Sequence, residues 1–395
     1  MNPLPAGFRT LCLLAALAPA AVGCSRPSPP TVELRGVWLT NVDSHVLERR
    51  ENIRDAMEFL AAHNFNAVFP VVWNKGMTLY PSQVMDSLFG VGMDTLYRGR
   101  DPLQEVIEEA HARSIAVIPW FEFGFAASYN ASGGHILAAR PYWAARDREG
   151  NLLTKNGFEW MNAYHPEVQA LILSLVLEVV RTYPVEGVQG DDRLPAQPVE
   201  GGYCRYTQHL YARAHEGRLP PEDFRDTSWV RWRAERLTEF AGRLYREVKT
   251  AKPDVLVSWA PSIHPWGLDE YLQDWPSWVR SGYADLVIPQ MYRYSADEYR
   301  QLVESQSSDS LNLGGRAEMV IPGMLIKLGD YLVDDDYLRQ ALRFNRARGY
   351  HGEVFFFYEG LRMDHDRIGT ILLREFYASS ARLPFPTTFQ AHATR

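Results

Sequence analysis

Residues 185–195 read VEGVQGDDRLP. A short apolar strand, carried by Val185 and Val188, stops at two adjacent carboxylates, Asp191 and Asp192. Glycines at 187 and 190 keep the backbone lean on both sides. Successive strand residues point to opposite faces, so one aspartate should face a pocket while the other braces a loop. Asp is also a common turn residue, and a pair that merely caps a turn or helix is the alternative. The flanking sequence has to decide between them.

Outward from this stretch, strand and helix signals alternate, the pattern of an α/β fold. Apolar runs suited to strands lie at 34–40, 67–72, 115–121, 187–190, 255–260, 286–291, 319–325 and 353–358. Helical candidates follow near 50–63, 101–113, 166–182, 229–250, 271–282, 296–305, 334–348 and 364–376. The fourth is the clearest, with Trp229, Trp232, Leu237, Phe240, Leu244 and Val248 at helical spacing. Eight such units predict a (β/α)8 (TIM) barrel. An open doubly wound sheet would usually show a Gly-rich phosphate turn after an early strand, and there is none. The connections are lopsided. Segments 73–100, 122–165 and 191–228 are long, whereas the returns 63–66 and 113–114 are short. In a barrel the long loops leave the C-terminal ends of the strands, where acidic residues such as the 191–192 pair meet a ligand.

The ends read differently. Residues 1–23 have the character of a secretory leader, with Arg9 before an apolar run, 11–18, too short to span a bilayer. Ala21-Val22-Gly23-Cys24 resembles a bacterial lipobox, with alanine where leucine is usual. Cleavage there would leave Cys24 for lipidation and membrane anchorage, and 24–33, containing SRPSPP, as a stiff tether. A plain secretion signal is the alternative. The expected location is the bacterial cell envelope, at the outer membrane or periplasmic side. Residues 34–378 are expected to form the barrel domain, and 379–395 an irregular tail.

Composition narrows the function. The 395 residues are 46% apolar with a net charge of −7. Acids and bases are mixed, and no basic patch carries interleaved aromatics, so nucleic acid is not an expected partner. Three cysteines make no disulfide framework, and Cys204 reads as a semi-buried thiol. There is no H-E-x-x-H, no zinc-spaced cysteine pair, no P-loop and no nucleophile elbow. No two of the eleven histidines are four apart, as the metal-dependent polysaccharide deacetylases would require. No cofactor or metal is expected. His45, His165 and His264 fall in the expected mouth loops.

The expected strand ends carry polar and aromatic groups: Trp38 and Asn41; Trp73, Asn74 and Tyr80; Trp120 and Glu122; Asp191, Asp192 and Arg193; Trp259; Gln290 and Tyr292; Lys327; Tyr358 and Glu359. Convergence of carboxylates, aromatics and amides at one mouth suggests a carbohydrate site. Glycoside hydrolysis needs one carboxylic acid to protonate the leaving oxygen and a second carboxylate to attack or to activate water. Aromatic faces stack on sugar C–H surfaces, while Asn, Gln and Arg bond hydroxyls. Asp192, Glu122 and Glu359 are the best-placed carboxylates, with Asp191 and Asp43 next. The structural alternatives are an ion pair for Glu122, a helix N-terminal acid for Glu359, and simple neutralisation of the Asp pair by Arg193.

These pieces together resemble the bacterial glycosyl-hydrolase-like family ten, also called family ten glycosylhydrolase lipoproteins, especially its cyanobacterial-type branch. The matching segments are LRGVWLTNVDS (34–44), NAVFPVVWNKGMTLYPS (66–82), IPWFEFGF (118–125), VEGVQGDDRLP (185–195), DWPSWVRSG (274–282), IPQMYR (288–293) and GEVFFFYEGL (352–361). The resemblance implies a barrel that hydrolyses peptidoglycan glycan strands lacking stem peptides. It makes Asp192 and Glu122 the functional carboxylates, matches Gln290 and Tyr292 to a Q-x-Y motif, and closes the last strand with Glu359. The chain departs from the family at Gly190, where an aromatic is usual, and at Arg193, where His or Tyr is frequent. An arginine beside the Asp pair is expected to lower its pKa, which favours Glu122 as proton donor and Asp192 as nucleophile or base. A non-catalytic glycan-binding lipoprotein remains the second reading, and a cytoplasmic-type α-glucan enzyme, which the leader disfavours, a third.

Overall fold

Pro119 divides one barrel strand in two. The computed structural model describes residues 31–386, so the expected leader, Cys24, most of the tether and the last nine residues lie outside the described residues. The barrel strands are β1 (Leu34–Leu39), β2 (Ala67–Pro70), β3 in two pieces (Ala116–Val117 and Trp120–Phe121), β4 (Gly187–Gly190), β5 (Leu256–Trp259), β6 (Leu286–Val287), β7 (Gly323–Leu325) and β8 (Gly352–Phe356). All neighbours pair in parallel. The first piece of β3 joins β2 through Ala67↔Ala116, and the second joins β4 through Gln189↔Trp120. Across the gap, Val72 N–H donates to Trp120 O at 2.9 Å and Gln189 N–H to Pro119 O at 2.8 Å, so the ladder continues around a proline that has no N–H to offer.

The remaining pairs run β7–β8–β1–β2 on one side and β4–β5–β6 on the other. Bridges Val287↔Val320 and Gln290↔Gly323, with Ile321 N–H on Val287 O at 2.9 Å, join β6 to β7 and complete the ring. The fold is a (β/α)8 barrel. Its strands are buried on both faces, which is why they read as continuous apolar runs rather than alternating ones.

Helices α1 (Arg50–Ala62), α2 (Pro102–His111), α3 (Pro166–Thr182), α4 (Thr227–Ala251), α5 (Trp275–Arg280), α6 (Ala296–Ser305), α7 (Asp335–Ala347) and α8 (Tyr358–Ile371) lie outside the strands. Their starts follow local chemistry. Asp101 caps α2, His165 caps α3 ahead of Pro166, and Asp226, Ser295 and Asp334 cap α4, α6 and α7. The periodic residues of α4 are buried, each such apolar side chain contributing about 1.5–3 kcal/mol.

Four elements differ from expectation. The helix expected at 271–282 is shortened to α5, while Tyr271 ends a separate short helix, Trp266–Tyr271, that Leu272 closes by turning left-handed at φ 60°. The helix expected from 364 is interrupted there. Asp364, His365 and Asp366 all have positive φ, and regular helix resumes only beyond them. Strand β6 stops at Val287, shortly before Pro289. Residues 317–319 form a 3₁₀ turn ahead of β7 rather than its first residues.

Two long loops reach the site. Segment 122–165 folds into a small antiparallel sheet of Ala126–Tyr129, Phe158–Trp160 and Thr154–Lys155. Segment 191–228 wraps around Arg233 of α4, a fully buried guanidinium that donates to the carbonyls of Val199, Gly201 and Phe224. Near the end of the described chain, Val32 bridges to Arg382 and Leu383 is buried.

Candidate active site

The turn after β4 brings Arg193 back over the mouth, and its guanidinium gathers three carboxylates. Nη2 donates to Asp191 Oδ2 at 2.8 Å and to Glu122 Oε1 at 3.4 Å, while Nη1 lies 2.9 Å from Asp192 Oδ1. Nε donates to the main-chain carbonyl of Glu122 at 3.0 Å. The guanidinium plane rests against Phe158, 4.5 Å from the ring centroid. The two turns are pressed together at Gly124. Phe125 N–H bonds Arg193 O at 3.0 Å, and a Cβ on Gly124, whose φ is +47°, would fall 2.1 Å from that same oxygen. Only glycine fits there. Gly190 meets a similar limit, because a Cβ would sit 2.6 Å from the Trp259 ring. With Trp259 and Leu194 O so close, no side chain fits before the Asp pair in this chain.

The two aspartates lie beyond the last residue of β4 and meet the same guanidinium, so burial rather than strand alternation separates them. Asp191 is 1% exposed, and its Oδ1 accepts from Gln290 Nε2 at 2.8 Å. Gln290 gives its amide also to Ala260 O at 3.2 Å, so it braces Asp191 rather than offering N–H groups to a ligand. Asp192 is 25% exposed, although the Oδ1 that meets Arg193 is itself buried. Glu122 is 15% exposed, and its Oε2 accepts a short hydrogen bond from Asn74 Nδ2.

Charge at this cluster is unbalanced. Burial, then the negative charge of Asp192, raises the Asp191 carboxyl well above the usual range and outweighs Arg193. The expected lowering of the pair by Arg193 is therefore corrected for Asp191: loss of water around a fully buried carboxyl exceeds the attraction of one arginine shared among three acids. Glu122 is raised as well, by burial first, against the opposing pull of Arg193 and Asn74. For Arg193 itself burial opposes the charge, and the three carboxylates more than restore it. Tyr292 stacks on Phe356 at 5.3 Å beside the cluster. Burial, then Asp191 and Asp192, holds its hydroxyl protonated.

Several expected contacts fall elsewhere. Glu359 accepts from Ser44 Oγ and from His45 N–H at 3.2 Å, while Lys327 pairs with Asp43. These two clamp the β1 loop onto the ends of β7 and β8, apart from the Arg193 cluster. Trp38, Trp73 and Trp259 are at most 1% exposed and Trp120 is 3% exposed. They pack the barrel and its helix layer and offer no open ring face, because barrel interiors are filled with side chains. Trp38 donates to Gln189 at 2.7 Å, Trp73 to Gly124 O at 3.0 Å, and Trp259 to Tyr283 O at 2.8 Å. Tyr80 is buried against α3, with its hydroxyl 3.2 Å from Glu178. Tyr358 packs on Phe59 and accepts from Arg362. Asn41 lies beside Tyr97. His165 is the α3 cap, His45 pairs with Glu48, and burial lowers His264. Cys204 is half-buried and accepts from Asn162 at 2.9 Å.

Residues 33–321 match the glycosyl hydrolase-like 10 family. The chain belongs to that family. It is 27% identical over 300 residues to glycosyl hydrolase DigH of Escherichia coli, covering 66% of this chain and 65% of that protein. It is 23% identical over 324 residues to glycosyl hydrolase YngK of Bacillus subtilis, covering 71% of this chain and 58% of that protein. The chain thus spans less than two thirds of these relatives. In structure it is similar to the PgaB (BpsB) glycoside hydrolase domain from Bordetella bronchiseptica, with a TM-score of 0.62, 13% identity, and coverage of 86% of this chain and 99% of that one. Family and fold together are those of glycoside-hydrolase-like proteins.

Around the family's Asp pair the structure adds residues that sequence reasoning missed. Phe158 supports Arg193. Tyr271, whose hydroxyl accepts from Asn156 Nδ2 at 3.0 Å, stands near Asp192. Their signal was weak, since both come from connections whose path the sequence does not reveal.

Proposed function

We propose that this protein is an envelope glycoside hydrolase that cleaves polysaccharide, namely peptidoglycan glycan strands lacking stem peptides, by two-carboxylate chemistry. The observation that carries the reading is the triple contact of Arg193 with Glu122, Asp191 and Asp192 at the mouth of the barrel. Glu122 suits the general acid, because burial keeps its proton on at higher pH than an ordinary glutamate. It would protonate the glycosidic oxygen as the bond to the anomeric carbon breaks. Asp192, more exposed and ion-paired, suits the second role, either attacking the anomeric carbon or taking a proton from water. Asp191, buried and doubly bonded, positions Arg193 and Gln290. The substrate class rests on family membership, the relative named glycosyl hydrolase DigH and the resemblance described above. We also infer export and lipid anchorage through Cys24, which a Cys24→Ala variant tests by moving from the membrane to the soluble fraction.

One observation favours a second reading. The 2.9 Å pair with Arg193 occupies the carboxylate that should react, which suits a barrel that binds glycan without turnover. Mass spectrometry of products separates the two. Protein beginning after Cys24 is incubated with intact and amidase-stripped peptidoglycan, beside Asp192→Asn and Glu122→Gln variants. New short glycans from the stripped substrate only, lost in both variants, support hydrolysis. Binding without new ends, unchanged in the variants, supports the binding protein.

A further inference from the structure

Beyond the carboxylates, one wall of the mouth is built from three separate connections. Backbone bonds tie the segment after the Asp pair to the segment after β5: Gln197 N–H donates to Tyr271 O at 3.1 Å and Val199 N–H to Glu270 O at 3.0 Å. Gln273 Nε2 donates to the carbonyls of Asp191 and Pro195 at 3.2 and 3.3 Å. The tip of the small sheet adds Asn156 on the Tyr271 hydroxyl and Lys155, whose Nζ lies 4.9 Å from the Tyr271 ring centroid. Lys155 is itself held by Glu200 and Glu270 at 2.9 and 2.7 Å. Tyr271 is thereby fixed from three sides.

On this rigid base sits Trp266. Its ring centroid lies 5.4 Å from that of Tyr271, and the residue is 47% exposed. It is the one tryptophan among the large apolar side chains exposed in the described residues. Of the aromatics expected at sugar-facing positions, Trp38, Trp73, Tyr80, Trp120, Trp259 and Tyr358 are buried and Tyr292 is half-buried. Tyr271 also connects this wall to the reacting groups: burial, then the charge of Asp192, pushes its hydroxyl up to about 12.

We propose that Trp266, supported by Tyr271 and Asn156, forms a glycan subsite that extends outward from Asp192 and grips an extended saccharide chain at a unit beyond the cleavage point. An exposed indole held against a braced tyrosine presents a flat apolar face to the C–H side of a pyranose ring, and the Tyr271–Asn156 pair supplies hydroxyl and amide groups for its hydroxyls. Binding at a remote unit favours long chains and contributes to KM rather than to the chemical step. This inference rests on the glycan reading of the Arg193 cluster.

The test compares wild type with Trp266→Ala and Trp266→Phe on amidase-stripped glycan strands and on the shortest oligosaccharide from them that wild type still cleaves. The expected result is a KM about tenfold higher for Trp266→Ala on long strands, kcat within twofold, no change on the short oligosaccharide, and recovery in Trp266→Phe. Direct binding of stripped strands to the same proteins is read in parallel. If wild type makes no new ends but Trp266→Ala binds strands about tenfold more weakly, the hydrolase reading fails and the subsite stands. If wild type cleaves strands and the alanine variant matches it in KM and affinity, the subsite is wrong while the hydrolase reading stands. Absence of any strand binding by wild type overturns both.

Discussion

Arg193 donates from Nε to the main-chain carbonyl of Glu122 at 3.0 Å. One side chain therefore ties the turn after β4 to the turn after β3 and sets where the two candidate reacting carboxylates stand. Its three ion pairs make it the electrostatic keystone of the cluster, since removing it leaves three acids facing one another.

Replacement of Arg193 by Met should cost about 3–5 kcal/mol of stability at neutral pH, as breaking a buried ion pair does. The deficit should shrink in acid, where the carboxylates take up protons. Thermal unfolding of both proteins from pH 4 to pH 8 reads this directly. A deficit independent of pH would mean that Arg193 contributes packing alone.

Glu122→Gln should slow turnover by about 10²–10⁴, the usual contribution of a positioned general acid. Its effect on stability should have the opposite sign. The folded-state pKa of Glu122 is raised, so between the unfolded value and the folded one the unfolded chain holds fewer protons, and wild-type stability falls as pH rises. The stabilising contribution of the neutral form is fully present below about pH 4 and is lost through the raised folded pKa. The glutamine variant, which cannot ionise, should therefore melt higher than wild type at pH 7 and match it in acid.

The two aspartates should separate by stability. Asp191→Ala strands the Gln290 amide and one face of Arg193 in a buried position and should cost about 1–3 kcal/mol for each lost partner. Asp192→Ala removes a partly exposed ion pair and should cost under about 1 kcal/mol. Both should lose activity, but only the first should show it as a lower Tm. A lower Tm for Asp192→Ala than for Asp191→Ala would reverse the assignment of brace and reactive group.

Tyr80→Phe should leave KM unchanged, because the hydroxyl faces Glu178 of α3 and not the mouth. The lost bond should lower stability by about 0.5–1.5 kcal/mol. A rise in KM with unchanged Tm would return Tyr80 to the sugar-binding surface.

Much of the barrel was legible in the chain. The strands are apolar throughout because both faces are covered, and the helices begin at Asp101, His165, Asp226, Ser295 and Asp334, where side-chain acceptors meet free N–H groups. Local signals of this kind are complete within a few residues. Strand alternation did not separate Asp191 from Asp192, because both lie beyond Gly190, the last residue of β4, and both meet the Arg193 guanidinium. Aromatic function was not legible either. Trp38, Trp73 and Trp120 precede polar loops in sequence just as a sugar platform would, yet they fill the barrel, while exposed Trp266 lies on a short helix just ahead of the one expected at 271–282.

The amino-acid sequence by itself determined the alternation of strands and helices, the lopsided loops and the presence of an Asp-Asp-Arg turn at the end of β4. Only the tertiary structure decided that Arg193 serves Glu122 as well as the Asp pair, that Gln290 braces Asp191, and that Glu359 belongs to a clamp on the β1 loop. The reason is physical. Helix and strand formation depend on neighbours along the chain, whereas the charge on a carboxylate depends on its distance from water and from groups as many as 315 residues away.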